Sequence, residues 1–237
     1  MGARLRKVWK PKHIPIVFGF ALTVFIWGCP TVRPPNGFRP EQLNIQGPFH
    51  HEASGITFPE SVGNYQRNII GHYDGNFQDV SAGYNLKRDA DVIFATVYVY
   101  SIPGVVSILS PPHTTKLVRS MAVTNEFSRN KHEIQRSHPA AKLTEEGETT
   151  LMFGNRTHIG WRATFELDGA RFGQRNYVTS HLYVFPYVSG NWALKYRFTH
   201  SKAAVGLNDI ETFMRDLKMT FKESSTLQLP GVFETTR

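Results

Sequence analysis

The chain of 237 residues contains a single cysteine, Cys29. One cysteine excludes an intrachain disulfide, so a domain exported to an oxidising compartment must rest on its hydrophobic core alone. The composition allows such a core, because 41% of the residues are apolar and 13% are aromatic. A chain of this length and composition can fold as one domain, which argues against a wholly disordered protein.

Acidic residues are absent from the first 28 positions, although five basic residues lie there. The net charge of +8 therefore comes mostly from the N-terminus, and the residues from position 29 onward carry only +3. A net charge this small is ordinary for a soluble domain. The basic composition does not indicate a nucleic-acid-binding protein, and we expect no nucleic-acid partner.

Apolar runs of membrane-spanning length are also absent. The longest run extends from Ile14 to Gly28 and covers 15 residues, whereas a helix needs roughly 20 to cross the hydrocarbon layer comfortably. A basic segment, a short apolar run and a small residue before the cleavage point are the layout of a secretory signal. We therefore predict a signal peptide over residues 1–28 and export of the remainder.

The tetrapeptide Ile26-Trp27-Gly28-Cys29 resembles the bacterial lipobox, in which an aliphatic residue, a small or aliphatic residue, and Gly or Ala lead into a lipid-modified cysteine. Ile26 and Gly28 match the pattern, and Trp27 departs from it. The resemblance implies a diacylglycerol with palmitate-like chains on Cys29, and two such chains hold a protein firmly on a membrane. The domain is then expected to face the periplasm or the exterior, from the cell membrane or the outer membrane. Trp27 leaves an uncleaved signal anchor and conventional cleavage open.

Prolines at positions 30, 34, 35 and 40 favour extended backbone and resist packing. We predict a Pro-rich tether over residues 29–54, a folded domain over 55–220 and a flexible C-terminal tail over 221–237. The pair His50-His51 falls in the tether. Because no partner lies at ligand spacing from it, we interpret it as a solvated pair rather than a metal site.

Hydrophobic periodicity divides the domain into strands and two helices. Strands are predicted over residues 56–58, 65–73, 79–86, 92–100, 158–167, 175–185 and 192–199. Helices are predicted from Thr114 or Thr115 to Ser137, and from Asn208 through Leu217. Because short turns join successive strands, the predicted fold class is α+β, an antiparallel β-sheet with two main helices packed against it.

Several of these elements together resemble the Mog1/PsbP-like superfamily over about residues 55 to 220. The resemblance is carried by the long strand 92–100, the helix leading into Ser137-His138-Pro139, the Gly160-Trp161 strand, the strand Trp192-Ala-Leu-Lys-Tyr-Arg-Phe198 and the last helix. That superfamily includes a partner of a small nuclear GTPase and an extrinsic photosystem II subunit. Membership implies a scaffold or binding role rather than catalysis, and it carries over no functional residues.

Motifs of catalysis and of cofactor binding are absent from the sequence. It contains no His-Glu-x-x-His, no Walker-type loop and no dinucleotide fingerprint. Ser180 with His181 or His158 could suggest a nucleophile with its base. Ser180 lacks the Gly-x-Ser-x-Gly elbow, however, and neighbouring strand residues such as Ser180 and His181 point to opposite faces. The acidic stretch Glu145 to Glu148 is interpreted as a solvated turn. We therefore predict no catalytic residue, no metal and no cofactor.

Three basic residues alternate on the outward faces predicted for two strands, namely Arg162, Lys195 and Arg197. If those strands are neighbours, the three residues form a surface for an anion or an acidic partner. The sequence thus favours a membrane-anchored envelope lipoprotein that acts as a binding or structural module. Its partners are membrane lipid through Cys29 and, as a further candidate, another envelope protein. The alternatives are a signal-anchored membrane protein and an envelope hydrolase with a noncontiguous site.

Overall fold

The computed structural model describes residues 39–88, 91–102, 112–153, 156–172, 176–187, 192–201 and 207–217. The strands in these ranges are β1 (Glu41–Leu43), β2 (Phe49–His51), β3 (Ile56–Phe58), β4 (Ser61–Val62), β5 (Tyr65–His72), β6 (Val80–Arg88), β7 (Asp91–Ser101), β8 (Lys142–Phe153), β9 (Arg156–Leu167), β10 (Val178–Tyr187) and β11 (Trp192–Ser201). The helices are α1 (Pro112–Ser137) and α2 (Leu207–Leu217), and a 3-10 turn covers Gly169–Phe172.

Nine of these strands form one antiparallel sheet. Its order is β1-β5-β6-β7-β11-β10-β9-β8, and β4 pairs with β5 beside β1. An N-terminal meander, β5 to β7, and a C-terminal meander, β8 to β11, join where β7 pairs with β11. Helix α1 lies between the two meanders in the chain, so it connects the halves of a continuous sheet.

One face of the large sheet packs against the small β2–β3 sheet and against α2. Ile56 and Phe58 of β3 share a buried cluster with strands β5, β6, β7, β10 and β11. Helix α2 contributes the apolar side chains at the spacing that its sequence predicts, which are Ile210, Phe213, Met214 and Leu217. Phe213 packs edge-to-face on Tyr84 and Phe198, with ring centroids 5.3 and 5.4 Å away. The aromatic layer is therefore shared by both sheets and one helix.

The opposite face of the large sheet carries a second core under α1. Val123, Phe127 and Ile134 of α1 pack on a cluster from β9, β10 and β11. The ring of Phe127 stacks on Trp161, with centroids 5.8 Å apart. These three helical positions share one stripe at spacings of four and seven residues, and the structure confirms the face that this spacing predicts.

The predicted α+β class, with two main helices packed against a sheet, is wrong. Strand residues outnumber helical ones by more than two to one, and the first core lies between two sheets, so the protein is a β-rich sandwich. Four strands that the sequence does not predict account for much of the difference between the predicted and the observed class. Three of them, β1, β2 and β4, are too short for a periodic signal, and the fourth is β8. The sequence predicts a solvated acidic turn over part of β8. The charged first half of this strand is exposed on alternate and intervening residues alike, so it lacks the alternation that predicts a strand.

The segment predicted as a tether is folded in its described part. Residues 41–43 and 49–51 form β1 and β2, and Leu43, Ile45 and Phe49 pack against the first core. The signal segment 1–28, Cys29 and the tail 221–237 lie outside the described residues. No helix in the described ranges is long and apolar enough to cross a membrane.

Candidate functional site

Helix α1 buries a polar stripe beside its apolar one. Glu126, Asn130 and Glu133 follow each other at spacings of four and three residues, so they lie on one face of the helix. All three are buried beneath α1, with exposed fractions of 9%, 3% and 8%. Acidic side chains are rarely buried unless they are paired. The polar stripe is therefore the most unusual feature of the helix–sheet interface.

The sheet presents a cation to this stripe. Lys195 of β11 is 5% exposed and donates a hydrogen bond from Nζ to Asn130 Oδ1 at 2.8 Å. Its Nζ also lies 4.0 Å from the ring centroid of Tyr98 and 5.6 Å from that of Tyr100, on the adjacent strand β7. A desolvated ammonium over an aromatic face is held by the ring quadrupole. The fold thus fixes one positive charge between α1 and the sheet.

Glu126 forms the centre of a hydrogen-bond network at one end of the stripe. Its carboxylate accepts from the Tyr100 hydroxyl at 2.6 Å, from Asn130 Nδ2 at 2.7 Å and from two nitrogens of Arg129 at 2.6 and 3.0 Å. Burial raises the pKa of Glu126. The hydrogen bonds from Arg129, Tyr100 and Asn130 together lower it by more, so the net pKa lies below the usual value. This carboxylate is fully occupied by its partners.

A crevice of about 20 Å³ opens at the other end of the stripe, around Glu133, Lys195 and Arg197. Glu133 is the contrast to Glu126, because its Oε1 is buried and accepts no hydrogen bond from any described residue. Arg197 of β11 is half-buried at the same crevice. Its Nε donates to Ser180 Oγ at 3.4 Å and its Nη2 to His138 Nε2 at 3.5 Å, both at the long limit of a hydrogen bond.

A second crevice, of about 40 Å³, lies on the other side of Lys195 and Tyr98. Its lining includes Asp79, Tyr73 and Arg129. Burial and then the charge of Asp74 raise the pKa of Asp79 to about 6. Because Lys195 lines both crevices, the two form one polar region beneath α1, which we call the α1 crevice region.

The structure brings together two of the three basic residues that the sequence singled out. Lys195 and Arg197 lie two positions apart on β11, on the face that α1 covers, rather than on an open wet face. Strand β10 separates β11 from β9, and the register aligns Arg162 with Tyr183 and Tyr196, on the opposite face. There Arg162 pairs with Glu145 at 2.5 Å. The three residues therefore do not share one surface.

The candidate serine and histidines are not brought together either. Ser180 Oγ contacts Thr199 Oγ1 at 3.2 Å on the α1 face, whereas His181 points to the other face. There its Nε2 lies 3.0 Å from His200 Nε2, and its Nδ1 lies 3.1 Å from Thr164 Oγ1. Burial, followed by the charges of His200 and Arg162, lowers the pKa of His181 to about 4.

His158, the other candidate base, lies on β9 opposite Leu151 and lines neither crevice.

The pair His50-His51 differs from its interpretation as two solvated residues. His50 is exposed, but His51 is 2% exposed and bonds to Ser54 Oγ at 2.6 Å and to the Phe77 carbonyl. The ring also packs edge-to-face on Trp192, because β2 folds onto the sheet instead of extending as a tether. Among the described residues, no group of three or more His, Cys, Asp or Glu side chains could hold a metal ion.

No protein-family model matches the chain, and no curated protein is significantly similar to it. The resemblance to the lipobox and to the Mog1/PsbP-like superfamily therefore stays a prediction.

Sequence reasoning singled out Lys195 and Arg197 of the α1 crevice region but missed the polar stripe of α1 that lies beside them. None of Glu126, Asn130 and Glu133 was singled out as a site residue from the sequence. A signal was present, since the three residues adjoin the apolar stripe instead of opposing it. That these residues lie beside Lys195 and Tyr98 follows only once β7 is known to pair with β11.

Proposed function

We propose that this protein is a bacterial cell-envelope lipoprotein, anchored through a lipid on Cys29, whose folded part is a binding module. The observation that carries the proposal is the order of a basic segment, a 15-residue apolar run and Ile26-Trp27-Gly28-Cys29. The run is short for a permanent span, and a thiol-linked diacylglycerol would supply the membrane affinity that the run alone does not.

The distance from Cys29 to the folded part supports this arrangement. The first described strand begins at Glu41, 12 positions after Cys29. Even a fully extended chain of this length reaches at most about 40 Å. A lipid on Cys29 would therefore keep the sandwich close to the membrane surface, where a partner or ligand of the envelope is encountered.

A binding role for the domain is supported by the chemistry of the α1 crevice region. It combines fixed charges, aromatic faces and a buried carboxylate oxygen, which are the groups that orient a polar ligand. The envelope hydrolase, the alternative in another class, calls for a histidine beside a carboxylate in a pocket. His158 and His181 line neither crevice, and His181 contacts His200 and Thr164.

The test is metabolic labelling with a palmitate analogue in a bacterial host that processes lipoproteins. Wild type should incorporate the label and fractionate with membranes, and Cys29→Ser should lose the label because no other cysteine is present. Trp27→Leu is the matched control, since it restores the residue type expected before Gly28 and should label at least as well as wild type.

Two results would contradict the anchoring proposal. Unlabelled wild-type protein that stays in the membrane would make residues 14–28 a signal anchor. Unlabelled protein released in soluble form would indicate conventional cleavage.

A further inference from the structure

We propose that the crevice between α1 and β11 binds a small planar oxyanion that carries a hydrogen-bond donor next to its charge. Hydrogencarbonate and a short 2-hydroxycarboxylate share this chemistry. The inference deepens the binding role proposed above and rests on that role, but it does not depend on the lipid at Cys29. It follows from three features of the crevice: an unused acceptor, an underused guanidinium and a limited volume.

The unused acceptor is Glu133 Oε1. The residue is 8% exposed, it lines the crevice, and this oxygen has no hydrogen-bond partner among the described residues. A buried polar atom without a partner is destabilising, and more so when the group is charged. Glu126, two helical turns earlier, has four donors around its carboxylate. Glu133 therefore lacks a donor that a bound molecule would supply.

The underused guanidinium belongs to Arg197. Its two hydrogen bonds, to Ser180 and His138, are 3.4 and 3.5 Å long and engage neutral groups. A guanidinium presents five N–H donors in a planar fork that matches a carboxylate-like group. Lys195 adds a second positive charge to the same crevice. Two cations and one carboxylate leave a net positive site, which selects an anion.

The volume limits the ligand to a small head group. About 20 Å³ accommodates one or two water-sized groups. Nucleotides and aromatic side chains are too large for this space. A planar anion can place a protonated oxygen inside, against Glu133, while its charged oxygens lie toward the mouth, where Arg197 is half-buried. A tetrahedral oxyanion without a proton would bring unshielded negative charge against the Glu133 carboxylate.

Two matched ligand pairs test the requirement for a donor. Hydrogencarbonate and nitrate are planar anions of similar size, of which only the first carries a proton. Glycolate and acetate differ by one hydroxyl. Calorimetric titration of the full lipidated chain in detergent at pH 8 should give at least about tenfold tighter binding for the donor-bearing member of each pair. The relative affinities of hydrogencarbonate and glycolate distinguish the two sources of this chemistry.

Two variants identify the residues involved. Glu133→Gln should abolish the preference within each pair, because an amide both donates and accepts. Arg197→Gln should weaken binding of every anion by about tenfold or more. Arg162→Gln, which removes a similar charge on the opposite face, is the matched control and should bind as wild type does. Equal unfolding temperatures and circular dichroism spectra of the variants exclude misfolding as the cause.

Three results would overturn the proposal: no binding of any anion, equal binding within both pairs, or a preference that survives in Glu133→Gln. If no anion binds while Cys29 is lipidated, the ligand assignment fails and the anchoring stands. If the anion binds while Cys29 is unlipidated, the anchoring fails and the crevice assignment stands.

Discussion

Gly160 lies on β9 against the ring of Phe185 from the neighbouring strand β10. A Cβ at this position would lie 2.4 Å from Phe185 Cδ1 and 2.4 Å from the Val184 carbonyl oxygen. The backbone carbonyl cannot yield without disturbing the β9–β10 ladder. The glycine is therefore required by a close approach of side chain and backbone, which no turn signal in the sequence indicates.

Gly160→Ala should lower the free energy of unfolding by about 1–3 kcal/mol, as overpacking in a full core does. The measurement is urea-induced unfolding followed by tryptophan fluorescence. Gly147→Ala is the control, because a Cβ there meets no atom within 4 Å and should change stability by less than about 0.5 kcal/mol. Equal stability of Gly160→Ala and wild type would mean that the packing around Phe185 is looser than described.

The facing imidazoles of His181 and His200 form a directed hydrogen-bond chain. His200 Nδ1 lies 2.7 Å from the Ser201 carbonyl, which can only accept, so the neutral ring carries its proton on Nδ1. Its Nε2 then accepts from His181 Nε2–H at 3.0 Å, and the Thr164 hydroxyl donates to His181 Nδ1. Full protonation of both rings would place two N–H groups head to head beside Arg162.

This pair predicts loss of stability in acid. Burial lowers the pKa of both histidines below the unfolded value, for His181 to about 4. The stabilising contribution is therefore complete above about pH 6.5 and declines as the pH falls toward about 4. For His181 the decline from pH 8 to pH 5 is about 2 kcal/mol.

Urea unfolding of wild type and His181→Gln at both pH values measures the difference, since the neutral amide does not titrate. An identical pH dependence in the two proteins would contradict the assignment.

At the scale of elements, α1 carries two stripes. The apolar stripe packs on the sheet, and the polar stripe beside it faces the α1 crevice region. Trp161 links the two parts, since its ring stacks on Phe127 and its Nε1 donates to Thr124 Oγ1 at 3.0 Å. Because the polar stripe contributes few apolar contacts, we expect Phe127 to account for much of the stability of the docked helix.

Phe127→Ala should lower the free energy of unfolding by about 3–5 kcal/mol, the usual cost of removing a buried aromatic side chain. Met121→Ala on the same helix is the control, because Met121 is 58% exposed and its loss should cost less than about 0.5 kcal/mol. Calorimetric or urea unfolding gives both values. A small effect at Phe127 would mean that the polar stripe, and not the apolar one, holds α1.

Elements with strong periodicity were predictable from the sequence, and those without it were not. Strands β7, β9 and β11 and both helices lie where β-branched residues, alternation or helical spacing place them. Strand β8 escaped prediction because it is an edge strand, paired with β9 alone in the described residues and exposed on both faces over its charged half. Edge strands commonly carry charges that prevent further pairing, and these charges erase the alternation.

At the scale of the whole molecule, the order of the strands determines which residues share a face of the sheet, and local sequence patterns do not predict that order. Arg162, Lys195 and Arg197 each occupy the strand position that the sequence predicts, yet the intervening β10 and the register put Arg162 on the opposite face. The α1 crevice region likewise forms only because β7 pairs with β11, which brings Tyr98 beside Lys195 from nearly a hundred positions away in the chain. The sandwich class depends on the β2–β3 pair, of which the sequence predicts β3 but not the three-residue strand β2.

The central claim for the whole molecule is that lipid on Cys29 holds a binding domain at the membrane. The most direct test is the intact mass of the protein extracted from membranes of the expressing bacterium, with Cys29→Ser beside it. The account predicts a chain that begins at Cys29 and carries the added mass of a diacylglycerol, both absent from the variant. An unmodified chain that retains residues 14–28 would contradict it.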